Sequence, residues 1–311
     1  MKVRLIQVDG KWPNLALMKL SAFHKAQGDQ VAFDLPNPNK VYISCIFQRN
    51  AAKARGISTL FPRADVEIGG AGVNNSTLPD FIEHLTPDYA LYKAETSIGF
   101  TSRGCIRKCP WCSVWTREGY IRDHAPTQEF LRHQNLILLD NNFLASPRYR
   151  ENLEYLIERR CRVCFSQGID IRLVTKPIAR LLARIRYSDQ RFTVKRLYFA
   201  WDDPHLISPE EIQNGVALLK QAGVKPHHLF CFMLTCYNTT IQEDLARFAF
   251  LQQLGVNPFV MRYNHRGNRV AREFSHWVNK RFFPKIPFAV WLQWRHAEAL
   301  PLSADQAKLL L

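Results

Sequence analysis

The feature that most constrains this chain is an alternation of apolar runs and helix-patterned segments that begins twice. From residue 97 onward, apolar runs at 97–101, 136–140, 163–167, 196–201, 229–235 and 258–263 have the length and content of buried strands. Between them, 128–134, 149–160, 178–187, 209–222 and 241–254 place apolar residues at helical spacing. Such units predict parallel strands joined by helical crossovers, and six of them fit a partial (β/α)6 barrel, whose chemistry gathers at the carboxyl ends of the strands. An earlier alternation has strand candidates at 3–9, 31–35, 41–47 and 65–68 and helix candidates at 14–30 (Leu17, Leu20, Phe23) and 51–61. It predicts a small doubly wound, Rossmann-like sheet. The expected organisation is therefore α/β: a Rossmann-like domain over 1–92, a barrel over 93–267, and a basic, aromatic packing extension over 268–311 that carries Trp277, Phe282, Phe283, Trp291 and Trp294.

A hydrophobic content of 47% across 311 residues is enough for full cores and excludes a disordered or fibrous chain. No run approaches the length of a membrane span, so no membrane partner is expected. The opening apolar run is interrupted by Gln7 and Asp9 and lacks the form of a signal peptide. The expected location is thus cytoplasmic, where clustered thiols signal metal or redox chemistry more often than disulfides. Eight cysteines are too few for a disulfide scaffold, so their spacing decides their meaning.

Three of them, Cys105, Cys109 and Cys112, stand at C-x3-C-x2-C just after the first barrel strand, in TSRGCIRKCPWC. Three thiolates on one loop can point at one centre. Structural zinc wants four ligands, usually in paired knuckles, and an electron-transfer cluster normally has four cysteines. Three cysteines on a cubane leave one iron open to a substrate or cofactor. Arg103, Arg107 and Lys108 would help keep the thiols deprotonated.

With Trp111 at the aromatic position, this loop resembles the C-x3-C-x-(aromatic)-C signature of the radical S-adenosylmethionine (SAM) superfamily, and the likeness extends over about residues 96–265. The resemblance implies a [4Fe-4S] cluster held by the three cysteines, whose open iron chelates the amino and carboxylate groups of SAM. It further implies reductive cleavage of SAM to a 5′-deoxyadenosyl radical, hydrogen abstraction from a substrate, and an electron donor such as flavodoxin or ferredoxin. Reaction outcome and substrate stay open.

Other positions at expected strand ends follow the resemblance less closely. Asp140-Asn141-Asn142 stands where the family usually has Gly-Gly-Glu; Asn141 or Asn142 can supply oxygens to the SAM amino group, or the segment is an Asx turn. Gln167 to Arg172 resembles a segment facing SAM or substrate, through Gln167, Asp170 and Arg172, and equally suits an Asp170–Arg172 ion pair. Asp202 is a candidate for the SAM ribose or amino group, against a capped turn before the next helix. Cys236 and Tyr237, near the end of the fifth strand, are candidate hydrogen donors, with packing as the plainer role.

The remaining cysteines read as core. Cys161 and Cys164 straddle the start of the third strand, opposite the expected chemical end, and Cys45 and Cys231 lie inside strands. The N-terminal domain resembles a cobalamin-binding domain, yet its first loop reads Asp9-Gly10-Lys11-Trp12-Pro13-Asn14. Lys11 stands where a cobalt-ligating His is expected, and only Gly69-Gly70 matches the later glycines. A degenerate domain is expected, and cobalamin is not.

Forty-two Lys and Arg against 27 Asp and Glu give a net charge of +15, which excludes an inert surface and predicts an anionic partner. Residues 148–196 hold thirteen basic and five acidic side chains, and 262–285 hold seven basic side chains against Glu273. The run Arg262-Tyr263-Asn264-His265-Arg266-Gly267-Asn268-Arg269 starts at the expected active-site rim and suits phosphate and base contacts. Arg180 and Arg184 share a helix face and read first as a solvated basic face. The leading function is a radical SAM enzyme acting on an anionic substrate, nucleic acid or nucleotide ahead of peptide or metabolite. Alternatives are a metal-stapled nucleic-acid-binding protein and an iron–sulfur electron carrier.

Overall fold

The computed structural model describes residues 1–74, 77–263 and 268–296. Strand β1 (Lys2–Gln7), helix α1 (Leu15–Ala26), β2 (Gln30–Ala32), β3 (Lys40–Ser44), α2 (Ala51–Ser58) and β4 (Asp65–Gly69) form a four-stranded sheet in the order β2-β1-β3-β4. All its pairings are parallel. Alternation within the strands sorts the side chains onto two faces. Val3 and Leu5 pack with Leu17 and Leu20 of α1, whereas Val41 and Ile43 pack with Ala54 of α2. With a helix over each face, the sheet is doubly wound as the alternation predicts. Asn14 starts α1 as an N-cap, its side chain accepting from the Leu17 N–H at 3.1 Å.

A short helix α3 (Asp80–Glu83) leads to β5 (Thr96–Gly99). The cysteine loop then lies inside a small hairpin made by β6 (Ser102–Arg103) and β7 (Arg122–Asp123), with α4 (Val114–Glu118) between them. The rest alternates: α5 (Thr127–Phe130), β8 (Asn135–Leu138), α6 (Tyr149–Glu158), β9 (Arg162–Phe165), α7 (Lys176–Arg184), β10 (Arg186–Tyr187), β11 (Leu197–Ala200), α8 (Pro209–Gln221), β12 (Leu229–Thr235), α9 (Ile241–Gln253) and β13 (Asn257–Arg262). These strands form two parallel sheets, β10-β9-β8-β5 and β11-β12-β13, joined by a single parallel bridge between Ile169 and Phe199. Leu136, Leu138, Val163, Phe165, Leu197 and Phe199 point to the helical side and build the main core. On the opposite face, Met18 and Tyr89 from the N-terminal part pack over Ile98, Ile137 and Cys164.

Two expected helices differ from what forms. The one expected at 128–134 is only α5, because the Ser97 hydroxyl accepts the N–H groups of Arg132 and His133 at 2.8 and 2.9 Å and draws the chain out of helix. The one expected at 178–187 begins earlier, capped by Thr175, and stops at Arg184; Arg186–Tyr187 then pairs with Arg162–Val163 of β9. The strand expected at 31–35 shortens to β2, and the one at 41–47 stops at Ser44, where the next amides turn toward Asp9.

Beyond β13, α10 (Arg269–Asn279) and α11 (Phe288–His296) bury Phe274, Trp277, Phe288 and Trp291 in the main core, so this part of the expected extension completes the helical layer. Residues 297–311 of that extension lie outside the described residues. No described helix is long and apolar enough to cross a membrane.

Candidate functional site

The carboxyl ends of the strands meet around the cysteine loop, and buried polar side chains hold that loop down. Asp140, directly after β8 and 3% exposed, accepts from the Thr101 N–H at 3.1 Å, the Thr101 hydroxyl at 2.6 Å, the Ser102 N–H at 2.7 Å and the Ser102 hydroxyl at 2.7 Å. Burial pushes its carboxyl up, against the pull of these donors. Glu118 on α4 closes the far side. It accepts from Arg103 at 3.0 and 3.1 Å, from the Gly104 N–H at 3.0 Å and from the Asn141 amide at 2.8 Å. Gly104, at φ +82°, lies so close to the Tyr120 carbonyl that an added Cβ would stand 2.4 Å from it, so the hairpin needs glycine here.

The thiols of Cys105, Cys109 and Cys112 are neighbours. Burial, reinforced by the charges of Cys112 and Cys105, pushes Cys109 to about 11. Cys112 is exposed, while Cys105 and Cys109 are half-buried. The Cys105 sulfur accepts from the Arg107 N–H at 3.3 Å and from the Asn142 amide at 3.6 Å. Among the described residues, no three His, Cys, Asp or Glu side chains are drawn together closely enough to hold a metal ion as they stand. The donor set is nonetheless three thiols on one short loop, with N–H groups aimed at sulfur.

Asp170, at the end of the β9 segment, forms the ion pair with Arg172 weighed from the sequence, at 2.8 Å, and a second one with Arg107 of the cysteine loop at 2.9 Å. Burial would raise its carboxyl, but the two guanidinium groups outweigh burial and hold it below its ordinary value. Asp170 thus couples the third strand to the loop, and Arg172 is close enough to Cys109 to favour its thiolate. Gln167, one turn earlier, is exposed, and its side chain makes no hydrogen bond among the described residues.

Asn142 is 4% exposed. Its amide nitrogen reaches Cys105 and, at 3.4 Å, Asp170, while its Oδ1 is buried with no partner. Asp202, after β11, also has a buried, unpartnered Oδ1; burial raises its carboxyl even though the Trp111 side chain hydrogen-bonds to it. The adjacent Asp203 makes the turn, accepting from the His205 N–H at 2.8 Å, so the capped turn and the unpartnered oxygen fall on different residues. Trp111 packs edge-on to Tyr237 at 5.1 Å, and Tyr237 packs on Tyr263 at 4.8 Å. Cys236 beside it adopts φ +60°, and its sulfur accepts from the Asn268 amide at 3.1 Å. Burial raises its thiol. One loop after β5 therefore touches residues that follow β8, β9, β11 and β12.

Of the expected rim, Arg262 ends β13, Tyr263 follows it, Asn268 caps α10 and Arg269 begins it, whereas Asn264, His265, Arg266 and Gly267 lie outside the described residues. Cys161 and Cys164 face opposite sides of their sheet, in different core clusters, and Cys231 is fully buried. In the N-terminal part Lys11 is exposed, and Asp9 accepts from the N–H groups of Ile46 at 2.8 Å and Phe47 at 3.0 Å and from the Asn50 amide at 2.9 Å. That carboxylate ties the loop after β1 to the loop after β3.

Two features of the site escape a reading by motif. Glu118 carries no motif of its own. Arg247, 3% exposed on α9, donates to the carbonyls of Trp201 at 2.7 Å, Asp202 at 3.0 Å and Leu234 at 2.6 Å, and pairs with buried Asp244. It thereby staples the ends of β11 and β12. The only hint in the sequence is Asp244 and Arg247 one helical turn apart in an otherwise apolar segment. No protein family and no curated protein matches the chain.

Proposed function

We propose that the protein is a radical SAM enzyme in which the two larger sheets are arcs of one partial (β/α)6 barrel. In this reading Cys105, Cys109 and Cys112 hold a [4Fe-4S] cluster, and SAM lies beside it at the strand ends. The observation that carries the reading is a pair of buried oxygens without hydrogen-bond partners next to the cysteines, Asn142 Oδ1 after β8 and Asp202 Oδ1 after β11. A buried acceptor left unpaired costs about 1–3 kcal/mol, so both positions favour a ligand that brings donors. The ammonium and ribose hydroxyls of SAM are such donors.

When bound, the cluster supplies the electron that cleaves SAM to a 5′-deoxyadenosyl radical able to take a substrate hydrogen. The chain's own residues supply position and charge. Asp140 and Glu118 fix the loop, Arg107 and Arg172 offset thiolate charge, and Asn142 donates to the Cys105 sulfur. Asn141 keeps a carbonyl oxygen for the ligand, since its amide nitrogen is bound to Glu118. Gln167 has its side chain available at the third strand end; Tyr237 meets the loop through Trp111, and it and the adjacent Cys236 serve as hydrogen donors. The net charge of +15 suits an anionic substrate, and an acidic electron donor such as flavodoxin or ferredoxin. The N-terminal domain serves as structure and cover rather than as a cobalamin site, because Asp9 is committed to the 46–50 segment.

Anaerobic reconstitution with iron and sulfide tests this. The expected result is about four irons per chain and a reduced-cluster spectrum that changes when SAM is added, with both lost on replacing Cys105, Cys109 and Cys112 by Ala. Tightly bound zinc without iron–sulfur absorption, or a full cluster in the triple variant, overturns it.

A further inference from the structure

The two larger sheets part at the end of the strands opposite the cysteine loop. Their one bridge, Ile169 to Phe199, lies toward the carboxyl side, while at the amino side β9 pairs with the short β10 instead of β11. The gap is an open cleft of about 590 Å³, lined by Arg162, Arg184, Arg186, Lys195, Lys225 and His228, with no Asp or Glu in its wall. Arg162 and Arg186 each donate to a backbone carbonyl, of Phe192 and of Arg160, which fixes them without neutralising them. Among the described residues, none of the five Lys and Arg side chains pairs with a carboxylate. Across the gap, the Tyr187 hydroxyl and His228 Nδ1 lie 3.0 Å apart, so the wall is held from both sheets. Burial and the nearby His227, Lys195 and Lys225 push the His228 pKa down, as a concentrated positive potential would.

Cations at helix C-termini have an ordinary structural use, and Arg184 in the last turn of α7 answers to it. Arg162, Arg186, Lys195 and Lys225 do not: they stand on strands and connections, and they converge on one concavity. We propose that this cleft is a second binding site, remote from the cysteine loop, that grips the phosphodiester backbone of a single-stranded nucleic acid. Guanidinium groups match phosphate oxygens in pairs, and a concave wall of one sign concentrates the field. The basic surface continues past the cleft through the exposed Arg159, Arg160 and Lys220 at the ends of α6 and α8, which suits a polymer rather than one small anion. A concavity of about 590 Å³ has room for the sugar-phosphate backbone of one strand. Its one tyrosine, Tyr187, is buried, which leaves the half-buried His228 as the aromatic face in the wall, so the grip rests on phosphate and reads little sequence. The proposal holds whether or not the cysteine loop carries a cluster.

The test is fluorescence anisotropy of a labelled single-stranded RNA of about a dozen nucleotides with the full-length chain, over a salt series. Arg186, Lys195 and Lys225 are exposed, so replacing all three by Ser leaves the fold standing, which circular dichroism checks. Three lost phosphate contacts remove about 0.7 each from the slope of log affinity against log salt, about 2 in all, and weaken binding roughly 100-fold at 0.1 M salt. A control pair in the N-terminal part, Arg49→Ser just before α2 with Arg55→Ser on it, leaves slope and affinity unchanged. Unchanged binding by the triple variant, or an equal loss in the control pair, overturns the proposal. So does tripolyphosphate binding at the cleft while the oligonucleotide does not bind, which makes it a small-anion site.

Discussion

Replacing Asp140 by Ala perturbs the cysteine loop without touching a cysteine. The carboxylate is 3% exposed and takes two N–H and two O–H donors from Thr101 and Ser102, just ahead of Cys105. In the Ala variant the two hydroxyls can rotate toward other acceptors, but the two backbone N–H groups cannot. Each buried orphan costs about 1–3 kcal/mol, and hydrogen bonds to a charged acceptor are worth about 1.5–3 kcal/mol each. Part of that sum returns because a buried charge is removed with its desolvation penalty. The net loss is about 3–5 kcal/mol, or a fall of roughly 10 °C in melting temperature. Asp140→Asn keeps an acceptor oxygen and loses about 1–2 kcal/mol. Thermal unfolding followed by circular dichroism reads the first effect, and iron and sulfide uptake during reconstitution reads the second, which should fall in the Ala variant. An Ala variant that melts with the parent, or loads iron as fully, refutes the view that Asp140 anchors the loop.

Two more substitutions test the frame around the site. Burial acts to raise Glu83, yet His124 and Lys19 outweigh it and bring its pKa from 4.5 to about 2, so its folded value is below its unfolded value. The stabilisation is therefore present above pH 4.5 and lost as pH falls toward 2. Glu83→Gln should cost about 3 kcal/mol at neutral pH and flatten that acid limb in a melting-temperature series, whereas a limb of undiminished slope would contradict the assignment. Arg247→Met strips three carbonyls of their donor and leaves Asp244 as an unpaired buried charge. The expected loss is about 3–5 kcal/mol in chemical denaturation, and Asp244→Leu added to Arg247→Met should recover much of it.

How much of this was legible in the sequence depends on whether a feature is local. The strands of the larger part are short apolar runs bounded by turns, and the expected 229–235 and the observed β12 coincide because Leu229 to Thr235 can only be buried on both faces. The C-x3-C-x2-C loop and the Asp170–Arg172 pair are also local and readable. Ends of elements fail where a distant partner competes. Ser97 draws Arg132 and His133 out of helix, and β9 captures Arg186 and Tyr187 as a strand. Asn141 and Asn142 read alike within one turn, yet a partner 23 residues away, Glu118, holds the amide of the first, while the second is buried with an oxygen unpartnered. Arg247 serves carbonyls more than forty residues distant, beyond any spacing rule. The basic cleft was visible only as excess charge over 148–196, since its wall assembles from β9, β10 and the approaches to β11 and β12.

In the proposed function, the cysteine loop and the two unpartnered oxygens beside it serve SAM cleavage. The most direct measurement is 5′-deoxyadenosine released from SAM by the reconstituted protein under dithionite, quantified by chromatography beside a Cys109→Ala variant. The parent chain should release it and the variant should release none. A parent chain with a full, reduced cluster that leaves SAM intact would contradict the proposed function.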